Sequence, residues 1–100
     1  MARIGRTIEW EDAEAIAARA LAFLASEPRQ LARFLALTGL GPDDLRRQIG
    51  SPELLAAVLE HLAHDEPLLL VFAAGARLPP EEVARALTVL REGKRRPRET

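Results

Sequence analysis

One hundred residues, 48% of them apolar and carrying a net charge of −1, make a single small domain with no general attraction to nucleic acid or anionic membrane. Eighteen Ala and 17 Leu stand against only four each of Val, Ile and Thr, which excludes an all-β fold. No cysteine is present, so disulfides, thiolate metal sites and a thiol nucleophile are excluded, and a cytoplasmic setting is expected.

No apolar run approaches the ~18 residues of a membrane span, and the first residues show no secretory apolar region. Residues 1–8 are read as a flexible arm bearing Arg3 and Arg6. A helix is then expected from about Glu9 to Ala25. Glu9, Glu11, Asp12 and Glu14 crowd its start, where negative charge complements the helix dipole. Ala13, Ile16, Ala17, Ala20, Phe23 and Leu24 recur at three- and four-residue spacing and form one buried stripe.

Ser26-Glu27-Pro28 opens a second helix, whose inner face is Leu31, Phe34, Leu35 and Thr38. Gly39 is placed to end it, with Leu40 folding back in a Schellman-type stop. Gly41-Pro42-Asp43-Asp44 opens a short third helix that is expected to bury Leu45 and Ile49 and to stop at Gly50. Ser51-Pro52-Glu53 caps a fourth, packing Leu55, Val58, Leu59 and Leu62.

Asp65-Glu66-Pro67 opens a fifth helix, and from Leu68 to Ala74 no residue is polar. A segment apolar on every side is expected to be the central element, ending at Gly75. Leu78 and Val83 have the spacing of a hydrophobic staple at the start of a sixth helix. Val83, Ala86, Leu87 and Leu90 face inward, and Gly93 ends it. Residues 9–93 thus form one all-α domain, a compact irregular bundle of five to six helices, followed by a disordered basic tail at 94–100. Glu27-Pro28, Phe34, Gly39 and Pro42-Asp43-Asp44-Leu45 are echoed by Glu66-Pro67, Phe72, Gly75 and Pro80-Glu81-Glu82-Val83. This outlines two pseudo-repeated three-helix halves, although caps of this kind recur in any helical protein.

The stretches ALAFLA (20–25), RFLALTGLGPDDLR (33–46), LLAAVLEHLAHDEPLLLVFA (54–73) and LPPEEVARA (78–86) carry a resemblance. Across about residues 9–92 the chain resembles the bacterial domain-of-unknown-function family 3572. The resemblance implies an all-helical fold in a bacterial cytoplasm and brings no activity, substrate or catalytic residue.

Function must therefore be sought in the residues. Residues 31–49 have the outline of a helix-turn-helix, with Arg46, Arg47 and Gln48 in the place of DNA-facing residues. The N-terminal end of that second helix carries Asp43 and Asp44, which would oppose phosphates, and Glu81 and Glu82 do the same in the echo. Lys94, Arg95 and Arg96, with Arg98, form the one dense basic cluster, but no aromatic is interleaved to stack on bases. His61 and His64 lie three apart on one helix and supply two imidazoles where a metal needs three or four ligands. His61 is read as a surface residue and His64 as a helix-end residue. Gly39-Leu40-Gly41 lacks the strand and the third glycine of a dinucleotide loop, and Ser26 and Ser51 are both read as caps.

No catalytic residue, cofactor or metal is predicted. The expectation is a non-enzymatic protein–protein interaction module that binds another protein or its own copy. The alternative is a nucleic-acid-binding protein using residues 31–49, the basic tail, or both. Candidate partner contacts are Trp10, Arg46, Arg47, His61, His64, Lys94, Arg95 and Arg96. Trp10 either closes the end of the bundle or joins an exposed patch with Ile8.

Overall fold

The computed structural model describes residues 8–93, so all but Ile8 of the arm expected at 1–8, and the basic tail with Lys94, Arg95 and Arg96, lie outside the described residues. Six helices follow one another: α1 (Trp10–Ala25), α2 (Pro28–Thr38), α3 (Pro42–Gln48), α4 (Pro52–Ala63), α5 (Glu66–Ala76) and α6 (Pro80–Glu92). Five of them carry proline in the first turn, where a missing N–H leaves no hydrogen bond unmade. The all-α bundle expected from the sequence is what forms.

α1, α4 and α6 pack against one another and enclose the core. The stripe of α1 buries Ala13, Ile16, Ala17, Ala20 and Leu24; α4 buries Leu54, Leu55, Val58, Leu59 and Leu62; α6 buries Val83, Ala86, Leu87 and Leu90. The alanines of α1 let its backbone come close to its neighbours, so larger leucines from α4 fill the centre. Local caps set the helix starts. The Glu9 N–H donates to Asp12 Oδ2 (3.1 Å), Leu54 N–H to Ser51 Oγ (3.1 Å) and Leu68 N–H to Asp65 Oδ1 (3.2 Å).

Around this trio the other helices are peripheral. α2 lies over α1 and α4 and commits one fully buried side chain, Phe34. Its partners Leu31 and Leu35 are half-buried, and Thr38 is exposed with its hydroxyl donating to Phe34 O (2.8 Å). Gly39 takes a left-handed backbone (φ 78°) and its N–H donates to Leu35 O. Leu40 N–H turns to Thr38 Oγ1 instead of back into the helix, so the stop is the simpler left-handed cap and not the Schellman form.

Four expectations are corrected. α3 buries nothing fully: Leu45 is half-buried and Ile49 is 59% exposed, because a seven-residue helix has too few turns to press both onto the core. Ser26 does not cap α2; it closes α1, its hydroxyl donating to Phe23 O (2.7 Å), and Glu27 precedes α2. Ile8 belongs to no loose arm, since it is buried in the core. The uniformly apolar α5 is not central. It lies against α4, α6 and α1 at the edge of the bundle, where only Phe72 and Ala73 are buried.

The α5 stop also differs. The helix runs through Gly75, and Arg77 adopts the left-handed conformation (φ 60°). Leu78 N–H donates to Ala73 O (2.9 Å) and Arg77 N–H to Ala74 O (3.2 Å), which makes this a Schellman stop built on an arginine. The two halves share an element order but not a packing plan, since α6 supplies four core residues and its counterpart α3 supplies none.

A candidate interaction surface

Among the described residues, those singled out in the sequence are distributed over several elements. Arg46 and Arg47 sit on α3, His61 on α4 with His64 as its cap, and Trp10 at the start of α1. Among the described residues no group of three or more His, Cys, Asp or Glu could hold a metal ion. No helix of the described chain is long and apolar enough to cross a membrane.

On α3 the chemistry is internal. Arg46 pairs with Asp43 (2.6 Å) and Arg47 with Asp44, both one turn back along the same helix. Asp44 Oδ2 also accepts the Gly41 N–H (3.0 Å), so carboxylates occupy the helix end that would enter a DNA groove. The pairs are exposed and add little stability, but they cancel the charge that phosphate contact requires.

The two histidines part company. His64 is exposed, with its Nδ1 3.0 Å from Glu60 O. His61 is not the surface residue expected: it is half-buried, with its ring edge-on to Phe34 at a centroid distance of 5.4 Å and its Nε2 buried without a hydrogen-bond partner. Burial holds its pKa below 6.5, Arg33 pushes the same way, and Asp65 opposes them. The signal missed in the sequence was the bulk of Phe34 on the neighbouring helix. Trp10 is half-buried against the core and Ile8 is buried, so of the two alternatives for this pair the exposed patch does not form.

The exposed apolar surface is elsewhere. Leu37 on α2 is 68% exposed, and on α5 Leu70 and Val71 are 46% and 60% exposed. Pro67, Ala74 and Gly75 are exposed as well. These five positions of α5 follow the spacing i, i+3, i+4, i+7, i+8, which is one face of a helix over more than two turns. Glu66 at its start and Arg77 at its stop are the first charges met in either direction. The opposite face holds Phe72 against Phe23 of α1, with ring centroids 5.5 Å apart, and the Arg19 guanidinium of α1 donates to Ala76 O (3.1 Å). The helix is therefore fastened from behind and bare in front. No sequence pattern could show this, because a segment without polar residues has no periodicity to say which face turns inward.

No curated protein and no solved structure matches this chain. Residues 10–93 match the family model described as a protein of unknown function, DUF3572, close to the span over which the resemblance was expected. The chain belongs to the DUF3572 family.

Proposed function

We propose that this chain is a non-enzymatic interaction module of the bacterial cytoplasm that offers the outer face of α5 to another protein chain. One observation carries the reading: an uncharged helix face of Pro67, Leu70, Val71, Ala74 and Gly75 stands in solvent on a firmly anchored helix. Removing apolar surface from water is the main favourable term in protein association. Completing the burial of Leu70 and Val71 would contribute about 1 kcal/mol each, since roughly half of a full side-chain transfer remains to be gained. Contiguous exposed apolar patches mark interaction sites more often than they mark unused surface. The cysteine-free composition and the family resemblance support the cytoplasmic and bacterial placement. Nucleic acid is not favoured as the partner, because Arg46 and Arg47 are matched by Asp43 and Asp44 on their own helix.

The test is a photo-crosslinking amino acid placed at Val71 in living cells, with Arg85 on the exposed side of α6 as the control position. Adducts to a protein at position 71 and none at position 85 are expected. Equal yields at the two positions, or no protein adduct at 71, overturn the reading.

A further inference from the structure

We propose that the partner for this face is a second copy of the chain, with two α5 helices packed antiparallel about a two-fold axis passing near Val71. The inference rests on the reading of α5 as an interaction face and adds the identity of what covers it. Three features of the helix choose a copy of itself.

The first is size. With the axis at Val71, that residue meets its own counterpart and Pro67 falls opposite Gly75 of the second copy, while Leu70 flanks the central Val71 pair. At each end of the stripe a proline ring is set against a glycine, which lets the two helices come close there. A closed two-fold contact needs this self-complementarity, and one register supplies it at both ends of the stripe.

The second is charge. Glu66 is exposed at the first position of α5 and Arg77 at its stop, and the same register brings Glu66 of each copy within one position of Arg77 of the other, inside the reach of the two long side chains. Parallel pairing would instead set Glu66 on Glu66. Antiparallel helices also align their dipoles favourably. Arg19, bonded to Ala76 O, adds a second cation at the end that receives Glu66, while Asp65 at the other end is engaged in capping its own helix.

The third is that the single chain has no use for two of these residues. A methyl group built on Gly75 would touch nothing within 4 Å, so nothing in the monomer asks for glycine in a helix that glycine weakens. Two positions later the left-handed stop, where glycine is the favoured residue, holds Arg77 instead. The monomer alone would be better served by Ala at 75 and Gly at 77. Opposite a second copy both choices make sense: Gly75 leaves room for Pro67, and Arg77 supplies the charge that meets Glu66.

An 11-residue face is smaller than the roughly 800 Å² per partner of a standard interface, so the dimer is weak and concentration-dependent. Sedimentation velocity of the full chain from about 1 µM to about 1 mM spans the affinities such a face supports. The mass is expected to rise from 11.0 kDa toward twice that value. Val71→Glu, on an exposed position, should stay monomeric throughout with unchanged circular dichroism and melting temperature. Glu66→Arg and Arg77→Glu should each weaken the dimer, and mixing the two variants should restore it. Because the chain has no cysteine, Val71→Cys can be oxidised cleanly; it should yield a disulfide dimer, and Arg85→Cys should not. A wild-type chain that stays monomeric across the range, or a dimer that Val71→Glu leaves intact, overturns the proposal. If Val71 then crosslinks in cells to a different protein, only the self-pairing fails; if it crosslinks to none, the interaction-module reading fails with it.

Discussion

α4 and α5 are consecutive, differ by one residue in length and are both rich in leucine and alanine, yet α4 buries five side chains and α5 buries two. α4 carries Glu53 and Glu60 away from its stripe, so its apolar residues are gathered on one side and that side fixes its seat between α1 and α6. α5 has no charge between Glu66 and Arg77, and nothing in its own sequence prefers one side to another. In a domain of this size the centre goes to the helices that can direct an apolar stripe inward and a polar face outward. An abundance of apolar residues measures how much surface there is to cover and says little about which neighbour covers it.

The sharpest test of that contrast is a pair of leucine truncations read by urea denaturation at a concentration that keeps the chain monomeric. Leu59→Ala, at a fully buried site on α4, should cost about 3 kcal/mol, and Leu70→Ala on α5 less than about 1 kcal/mol. Equal costs would mean that α5 is as deeply engaged as α4. A gain should appear at the stop of α5: Arg77→Gly relieves the left-handed arginine and should stabilise the monomer by about 1 kcal/mol while weakening self-association. If both quantities move in the same direction, the arginine is not held there for a second copy.

The smallest effect is at the boundary between α2 and α4. The pKa of His61 lies below 6.5 in the folded chain, so between that lowered value and 6.5 the unfolded chain binds the extra proton. Stability from this residue is therefore fully present above pH 6.5 and declines as the pH falls toward the folded pKa. His61→Gln should flatten that segment of the stability curve relative to wild type, as followed by thermal melts across acidic to neutral pH. Superimposable profiles would show that the burial of the ring against Phe34 has no energetic weight.

Most of the fold was legible because its punctuation is chemical. Prolines opening five helices, Ser51 and Asp65 as caps, and the stripes of α1, α4 and α6 each state a local preference that the packing keeps. The place of α5 was misread because burial was inferred from residue type where no polar face gave direction, and Ile49 was misread because α3 ends at Gln48, one residue before it. The candidate surface was less legible still. The described contacts named in advance (Trp10, Arg46, Arg47, His61 and His64) are dispersed over three helices and the α4 cap. Exposure of Leu70 and Val71 follows from what α1, α4 and α6 do to one another, a relation that α5's own residues do not encode.

Ile8 lies in the core two residues ahead of the first helix, and so acts as a plug seated from outside the helical framework. Trimming the protein to begin at Trp10, where both α1 and the family match begin, would draw that plug and open the interior to water. A minimal version for spectroscopy or crystallisation should therefore start upstream of Ile8, and any fusion partner should be joined by a linker long enough to leave the isoleucine seated.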